Sequence, residues 1–264
     1  MAIIVPICSS SKGNCTYVGD YDSGILIDAG CSFRAICKGL ELNSLSIENV
    51  NGIFITHEHI DHIRGLNQLT KRTDIPIYAS NMVKDYFIEN KVLYKNDFLF
   101  SSTEQEIIIN DEFQINAFHT PHDSVESVGY KILYENKKIG ICTDLGAVTQ
   151  EVRESLLGCE MILLESNYDS ELLRTNTLYP YYLKKRISSN TGHLSNELSS
   201  EFLCELVENG ATRIFLGHLS QENNTPNLAK KAAEKALKAI GAENGFDYIL
   251  DIAPVMTSGV KLTV

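Results

Sequence analysis

The sequence predicts an α/β fold built in layers, and two observations carry that prediction. Short runs rich in Ile, Val and Phe are separated by Asn, Asp and Gly, which is the pattern of strands and turns. Helical patterns alternate with these runs along the chain, which is typical of a layered α/β domain. The sequence contains no obvious repeat or linker, so we expect one domain spanning residues 1–264.

The predicted strands take up the apolar runs of the chain. Each run is too short for an average helix and is bounded by residues that favour turns. In chain order, strands are predicted at residues 3–5, 24–27, 53–55, 107–109, 113–118, 139–142 and 214–216.

The predicted helices fall between and after those strands, at residues 32–40, 62–71, 80–90, 195–209 and 226–240. The last helix carries the clearest end signals, with Thr225 as N-cap, Pro226 in the first turn and Gly241 just past the end. Ser195 is predicted to cap the helix at 195–209, and Glu197 lies in its first turn.

The bulk composition describes an ordinary globular protein. Hydrophobic residues make up 44% and charged residues 22%, and no apolar run approaches the roughly 20 residues of a transmembrane helix. The N-terminal segment lacks a basic leader, and seven scattered cysteines without a CxxC pair indicate reduced thiols. We therefore expect a cytoplasmic protein without membrane association. The sequence indicates neither an obligate protein partner nor an oligomeric state.

Histidines concentrate in one segment, ITHEHIDHIRGL, which begins at the end of the strand predicted at 53–55. It holds His57, His59, Asp61 and His62, a spacing that differs from the HExxH of helical zinc proteases. The first two imidazoles suit a turn around one ion, and the next two side chains then project toward a second. Imidazole with carboxylate suits zinc, manganese or iron without selecting one of them. The alternative is a solvated polar loop.

Other ligand-type residues also follow predicted strands. His119 and His122 come after 113–118, Asp144 after 139–142 and His218 after 214–216. Singly these are weak signals, because a histidine after a strand is usually a satisfied core or surface residue. Together they place ligand-type side chains at four or more strand ends, where loops of α/β folds converge on ligands. A dinuclear site built from separate loops needs this arrangement.

The chain resembles the metallo-β-lactamase fold superfamily in LIDAG, THEHIDH, HTPHD, TDLG and GHLS, which occur in the expected order over about residues 20–220. The resemblance implies an αββα sandwich with a dinuclear metal site at its edge and two divalent transition-metal ions per chain. The implied ligands are His57, His59 and His122 for one ion, Asp61, His62 and His218 for the other, and Asp144 as the bridge.

Two residues of these motifs are expected to support the ligands rather than to bind metal. The resemblance implies that Asp28 holds the metal loop. His119 is a candidate hydrogen-bond partner for a ligand, since metal-binding histidines use their second ring nitrogen in this way.

A finer resemblance, to the YycJ/WalJ family (also called VicX), comes from CSSSKGNCTYV (8–18), HDSVESVGY (122–130), LLESNYD (163–169), YPYYLKKRI (179–187), GHLSNE (192–197) and GHLSQENN (217–224). It implies a 5′→3′ exonuclease acting on DNA, with a core related to RNase Z and RNase J. The 73 residues between Asp144 and His218 are too few for the inserted domain of RNase J-type enzymes. Ser127 and Tyr168 replace a common Pro and His of the family, and Ile60 a small polar residue, which leaves substrate preference open.

The implied chemistry is hydrolysis of a phosphodiester. Two ions would lower the pKa of a bridging water and clamp the phosphate oxygens during in-line displacement, with Asp61 as a ligand and proton acceptor. The net charge of −11 argues against a general electrostatic grip on nucleic acid, but the ions would keep the site itself positive. The run Lys184–Arg186 is available for the flanking strand, or it is a solvated helix face.

Four residues outside the metal motifs are candidates for contact with phosphate. His193 precedes the helix at 195–209, whose N-terminus favours phosphate, and it could donate a hydrogen bond or proton to the leaving oxygen. Ser10, Ser11 and Asn14 are predicted to lie in a loop between two strands, where they could bind phosphate. The alternative for all four is an ordinary surface position.

Three functions remain open from the sequence. The first is a metal-dependent phosphodiesterase, a DNA exonuclease. The second is a hydrolase of a small ester, lactone or thioester, which a closed apolar pocket would favour. The third is a redox or regulatory metal protein.

Overall fold

The structure, a computed structural model, describes residues 1–96 and 99–263. Within them the chain forms two facing seven-stranded sheets, with helices packed on both outer faces. The layers therefore run helix, sheet, sheet, helix, which confirms the expected αββα sandwich.

The first sheet combines antiparallel and parallel pairing. Its strands, in spatial order, are β14 (Leu262–Thr263), β1 (Ile3–Ser10), β2 (Gly13–Gly19), β3 (Gly24–Ile27), β4 (Val50–Phe54), β5 (Ile77–Ala79) and β6 (Leu99–Ser101). Pairing from β14 to β3 is antiparallel, and pairing from β3 to β6 is parallel. The two ends of the sequence meet in this sheet, since β14 pairs with β1.

The second sheet is also mixed. Its strands, in spatial order, are β13 (Ile249–Ile252), β12 (Arg213–Gly217), β11 (Met161–Glu165), β10 (Lys137–Cys142), β9 (Val128–Tyr134), β8 (Phe113–His119) and β7 (Ile107–Ile109). The four strands β10 to β13 run parallel, and β7 to β10 form an antiparallel meander. Parallel strands send their carboxyl ends to one edge, where the histidine motifs follow.

The alternation of side chains along β1 shows how the layers are filled. Ile3 and Val5 pack in the core beneath the outer helices, whereas Ile4 packs in the core between the two sheets. This is the two-residue period of a strand covered on both faces.

The helices are α1 (Phe33–Leu42), α2 (Ile60–Ile63), α3 (Leu66–Arg72), α4 (Asn81–Glu89), α5 (Gln150–Leu156), α6 (Ser170–Thr175), α7 (Tyr181–Ile187), α8 (Asn196–Glu208) and α9 (Pro226–Ala239), with a 3₁₀ turn at Ile47–Asn49. The predicted caps are present, since the hydroxyl of Ser195 accepts from Leu198 N and that of Thr225 from Leu228 N. In the described part of the chain, every helix is too short or too polar to cross a bilayer.

The helix predicted at 62–71 is two helices, α2 and α3, which meet at Gly65. The amide of Gly65 donates to Ala29 O at 2.7 Å, and a Cβ there would lie 2.4 Å from Cys31 O. Periodicity could not show this close crossing of two backbone segments. As a result, Asp61 and His62 project from the separate one-turn helix α2.

Candidate metal centre

The site lies at the carboxyl ends of strands from both sheets. Asp28 follows β3, and the histidine segment follows β4. On the second sheet, Asp144 follows β10, Glu165 ends β11 and His218 follows β12. The histidine segment, Asp144 and His218 thus follow strands as predicted, whereas Glu165 was not among the predicted residues.

Three of these side chains sit on backbone that turns sharply. Asp28, Asp144 and His218 have φ values of 63°, 59° and 54°, in the left-handed region that non-glycine residues rarely adopt. Such conformations cost on the order of 1–3 kcal/mol each and persist only where the surroundings impose them. The turns bring strand-end residues back over the edge of the sandwich.

The first group of ligand atoms comes from His57, His59 and His122, and these atoms lie within 4.8 Å of one another. His122 Nδ1 donates to the carbonyl of Gly192 at 3.0 Å, which leaves Nε2 facing His59 Nδ1 at 3.4 Å. His57 Nδ1 lies 3.0 Å from the hydroxyl of Thr56. Each contact fixes a ring so that another nitrogen points into the group.

The second group comes from Asp61, His62 and His218, again with ligand atoms within 4.8 Å. Asp28 accepts a 2.7 Å hydrogen bond from His62 Nδ1, so it orients the ring as expected of a support residue. His62 Nε2 and His218 Nε2 each lie 3.5 Å from Asp61 Oδ2.

Asp144 lies between the two groups. Its Oδ1 is 3.7 Å from His122 Nε2, and its Oδ2 is 3.3 Å from His62 Nε2. The buried carboxylate thus lies near one candidate ligand from each group, as the expected bridging role requires.

Several buried polar atoms at this site have no hydrogen-bond partner. Among the described residues they include His57 Nε2, Asp144 Oδ2 and His218 Nε2. Burying such atoms unpaired costs free energy, so most are paired in native proteins. Because they converge from three loops, bound divalent cations would satisfy them together. The imidazole and carboxylate set fits the two ions that the resemblance implies.

The protonation states of His57 and Asp61 also suit metal binding. Burial, then the neighbouring His62, His122 and His59, hold the pKa of His57 well below its usual range, so that ring is a neutral ligand. Burial raises the pKa of Asp61, but the rings of His218 and His62, each with Nε2 3.5 Å from Oδ2, outweigh it and hold that pKa far below its usual range. Asp61 is therefore a carboxylate. Burial lowers the pKa of His62 and of His218, but the surrounding carboxylates outweigh it and raise both, that of His218 to about 10, so these two rings lose a proton when they bind metal.

Glu165 was not singled out by the sequence analysis, yet it is central to the site. It is fully buried, and its Oε1 accepts from His193 Nδ1 at 2.8 Å and from His218 Nδ1 at 2.9 Å. Its Oε2 accepts from the amides of Leu145 and Leu194. The signal was available, because Glu165 ends an apolar strand within LLESNYD, as Asp144 follows one in TDLG.

His193 reaches the site as predicted, although not through the helix N-terminus. Its ring lines the cavity above the ligands, and the bond from Nδ1 to Glu165 leaves Nε2 available there. Burial lowers the pKa of His193, but the charge and hydrogen bond of Glu165 outweigh it and raise that pKa above its usual range. The first amides of α8 bond within the protein, Asn196 N to Tyr168 O and Leu198 N to Ser195 Oγ.

The three candidates near residue 12 separate in the structure. The predicted loop is only the turn at Ser11 and Lys12, because Ser10 and Asn14 belong to the paired strands β1 and β2. Ser11 is exposed and lines the cavity, whereas Ser10 and Asn14 are buried. Asn14 Nδ2 lies 3.0 Å from His62 Nε2, beside a ligand atom rather than at an open phosphate site.

His119 is not part of the site, which corrects the expectation that it supports a ligand. The alternation of β8 turns its side chain outward, where it is 58% exposed and bonds to Glu126 and Glu151. The carbonyl of Gly192 takes the supporting role for His122 instead.

Members of both groups line a cavity of about 210 Å³, whereas His57 and His62 are buried behind them. Its lining is mainly polar and charged: Ser11, His59, Asp61, His122, Asp123, Asp144, Leu183, Arg186, Ile187, Gly192, His193 and His218. Arg186 on α7 pairs with Asp123, which places a cation at the wall.

Asp28→Ala is expected to weaken metal binding by about 10–100-fold, because it removes the carboxylate that orients His62. The measurement is titration of metal-stripped protein with Zn²⁺ against a competing chelator. Asp22→Ala, at an exposed turn, is the matched control. Wild-type affinity in the Asp28 variant would contradict the supporting role.

Known proteins resemble this chain over most of its length. Residues 24–219 match the β-lactamase superfamily domain. The chain is 32% identical over 260 residues to exodeoxyribonuclease YycJ of Bacillus anthracis, covering 97% of each protein. It is 31% identical over 255 residues to exodeoxyribonuclease WalJ of Streptococcus pneumoniae, covering 94% of this chain and 93% of that one.

Solved structures share the fold at lower identity. The metallo-β-lactamase fold protein YhfI from Bacillus subtilis superposes with a TM-score of 0.73 at 16% identity, covering 99% of this chain and 98% of that one. The short form of human tRNase Z gives a TM-score of 0.65, also at 16% identity and with the same coverage. The chain therefore belongs to the metallo-β-lactamase fold superfamily and, within it, to the YycJ/WalJ family of metal-dependent hydrolases.

Proposed function

We propose that the protein is a dinuclear-metal-dependent phosphodiesterase that degrades DNA as a 5′→3′ exonuclease. The substrate class comes from relatives named exodeoxyribonucleases, which match nearly the whole chain. The polarity comes from the family resemblance. The proposed ligands are the seven residues that the sequence analysis named: His57, His59, Asp61, His62, His122, Asp144 and His218.

The observation that carries the proposal is the cavity over the ligand groups. Its wall presents Arg186 and the Nε2 side of His193, both suited to a phosphate, beside the carboxylate of Asp61. A hydrolase of small esters or lactones is expected to enclose its substrate in apolar walls. Here Leu183 and Ile187 are the large apolar side chains of a lining that is otherwise mainly polar.

Each group has a proposed task during cleavage. Divalent ions of zinc, manganese or iron, when bound, would lower the pKa of a water between them and neutralise phosphate charge. Asp61 accepts the proton of the attacking water at its carboxylate. His193 is held by Glu165 with Nε2 toward the cavity, where it donates a hydrogen bond or proton to the leaving oxygen. Asp28, Glu165 and Gly192 keep the rings of His62, His218 and His122 oriented.

We expect gently purified protein to contain two transition-metal ions per chain. The number comes from the family resemblance, and the unpaired buried atoms and the overlapping groups of candidate ligands around Asp144 support it. Elemental analysis measures it directly, and thermal unfolding before and after chelation gives a second readout, since an ion that binds only the folded state raises Tm. Metal-free protein that gains neither ions nor stability with Mn²⁺ or Zn²⁺ would contradict the assignment.

The function is tested with Mn²⁺-loaded protein on 5′-labelled and 3′-labelled DNA, beside a panel of chromogenic esters. A 5′→3′ exonuclease releases the 5′ label at once and shortens the 3′-labelled strand progressively. Ester hydrolysis without DNA cleavage would support the small-molecule alternative. The opposite order of label release would reverse the polarity and leave the phosphodiesterase in place.

We also propose a reducing, cytoplasmic location. The seven cysteines are free thiols, and Cys8, Cys15, Cys31, Cys142 and Cys159 are buried. This is the usage expected where thiols stay reduced. Fractionation of cells with an antibody to the native protein tests the location.

A further inference from the structure

A second groove lies on the opposite side of helix α7 from the metal cavity. Leu183, Arg186 and Ile187 line the cavity, whereas Tyr181 and Lys185 of the same helix line the groove. The groove has a volume of about 450 Å³. A helix is about 10 Å across, so a ligand passing from one site to the other crosses only one helix.

The groove is rich in aromatic side chains. Tyr168, Leu173, Tyr179 and Tyr181 line it, and we call it the tyrosine groove. Tyr181 is 74% exposed, whereas Tyr168 and Leu173 are 6% and 4% exposed. An exposed aromatic ring in a groove that further apolar side chains line is a feature of interaction sites.

The tyrosine groove is also basic, in a chain whose net charge is −11. Lys184 and Lys185 line it, and Lys185 Nζ lies 5.7 Å from the centroid of the Tyr181 ring. Lys184 Nζ donates to the carbonyl of Arg174 at 2.8 Å, which fixes that ammonium group at the wall. Arg174 lines the groove too, but its charge is paired with Glu171.

We propose that the tyrosine groove binds the single-stranded part of a DNA substrate, next to the nucleotides held at the metal centre. Exposed aromatic rings stack on unpaired bases of any sequence, and neighbouring cations follow the phosphates. Paired bases in a duplex do not offer their faces in this way, so the ligand is a single strand. The inference extends the proposed exonuclease function and relies on it.

The test measures binding separately from cleavage. Fluorescence anisotropy of metal-loaded protein with a labelled thymidine oligonucleotide of about twelve residues, made with phosphorothioate linkages that resist cleavage, reports affinity without turnover. This length is within the site sizes known for stacking proteins. Tyr181→Ala is expected to weaken binding about tenfold, which corresponds to one lost stacking contact. Lys185→Ala is expected to lower the slope of log affinity against log salt by about 0.7.

Two control variants accompany the test, one on the same helix α7 and one on α9. Tyr182 is exposed to the same 74% but is not among the residues that line the groove, so Tyr182→Ala is expected to bind like wild type. Lys231→Ala on α9 is the control for charge. Equal losses for Tyr181→Ala and Tyr182→Ala would overturn the proposal. So would a Tyr181 variant that binds DNA normally but changes oligomeric state, because the surface would then be a protein interface.

Kinetics separate this proposal from the proposed function. The Tyr181 variant is expected to lose more in kcat/KM on an oligonucleotide than on bis(p-nitrophenyl) phosphate, with the loss mainly in KM. A wild-type protein that neither binds nor cleaves DNA would remove the exonuclease function itself. If the wild-type protein cleaves DNA and the groove variants bind and cleave it equally well, the exonuclease function stands and only the proposed role of the tyrosine groove is rejected.

Discussion

Asp61→Ala is expected to abolish hydrolysis, with a loss of about 10²–10⁴-fold or more, because one change removes a metal ligand and the proton acceptor. The carboxylate is poised for both tasks. Asp61 Oδ2 lies 3.5 Å from the Nε2 atoms of His62 and His218, and its low pKa keeps it ionised at neutral pH. The measurement is kcat/KM on DNA with Mn²⁺, beside metal content.

Asp61→Asn separates the two tasks, since an amide oxygen remains a weak ligand but cannot accept the proton. If Asp61→Asn keeps its metal but loses activity, Asp61 is the proton acceptor. If both variants lose metal, the main role of Asp61 is to bind metal. Asp22→Ala, at an exposed turn, is the control for a lost aspartate. Activity of Asp61→Ala within about tenfold of wild type would rule out the catalytic role.

Much of the candidate site could be predicted because its proposed ligands follow strands. Hydrophobic runs are visible in a sequence, and the carboxyl ends of parallel strands share one edge. His57, Asp144 and His218 therefore come together without knowledge of the loops. Four of the five predicted helices were also recovered to within a few residues, and Ser195 and Thr225 cap two of them as expected, whereas the short helices α5 and α6 were not predicted.

The errors at Gly65, His119 and Glu165 share a physical cause. Each depends on tertiary contacts that the local sequence pattern does not show. Gly65 interrupts a good helical period because its amide bonds to Ala29. His119 faces Glu126 and Glu151 because strand alternation turns it outward, although it lies only three residues from His122. Glu165 carried the same strand-end signal as Asp144, but its role depends on two histidines more than 25 residues away. Tertiary packing, rather than local sequence, determines which of these carboxylates accepts the hydrogen bond from His193.

His193→Ala is expected to lower DNA hydrolysis by about 10²-fold or more while metal content and fold stay unchanged. His193 is tied through Nδ1 to Glu165 at 2.8 Å, so removing its ring leaves the proposed ligands in place. His119→Ala, which removes an exposed histidine from β8, is the matched control and is expected to keep wild-type activity.

The protonation of His193 also predicts how the rate of DNA cleavage changes with pH. Burial lowers the pKa of His193, but the charge and hydrogen bond of Glu165 raise it by a larger amount. The resulting pKa lies above the usual histidine range, so the ring stays protonated to a higher pH. A protonated donor is present at low pH and is lost as pH rises through that raised pKa. The wild-type rate on DNA is therefore expected to fall on the basic side, and His193→Ala is expected to lose that fall.

The choice of leaving group decides what His193 does. The leaving group of bis(p-nitrophenyl) phosphate departs without a proton, so a general acid at His193 makes the variant lose much less on this substrate than on DNA. Equal losses on both substrates reassign His193 to binding the non-leaving oxygens, where Arg186 stands on the same cavity wall. Loss of metal from the variant would make His193 a ligand. Its position would then explain that role, since His193 Nδ1 lies 3.7 Å from Asp144 Oδ1. Unchanged DNA cleavage removes it from the mechanism, and Glu165 would then serve only to orient His218.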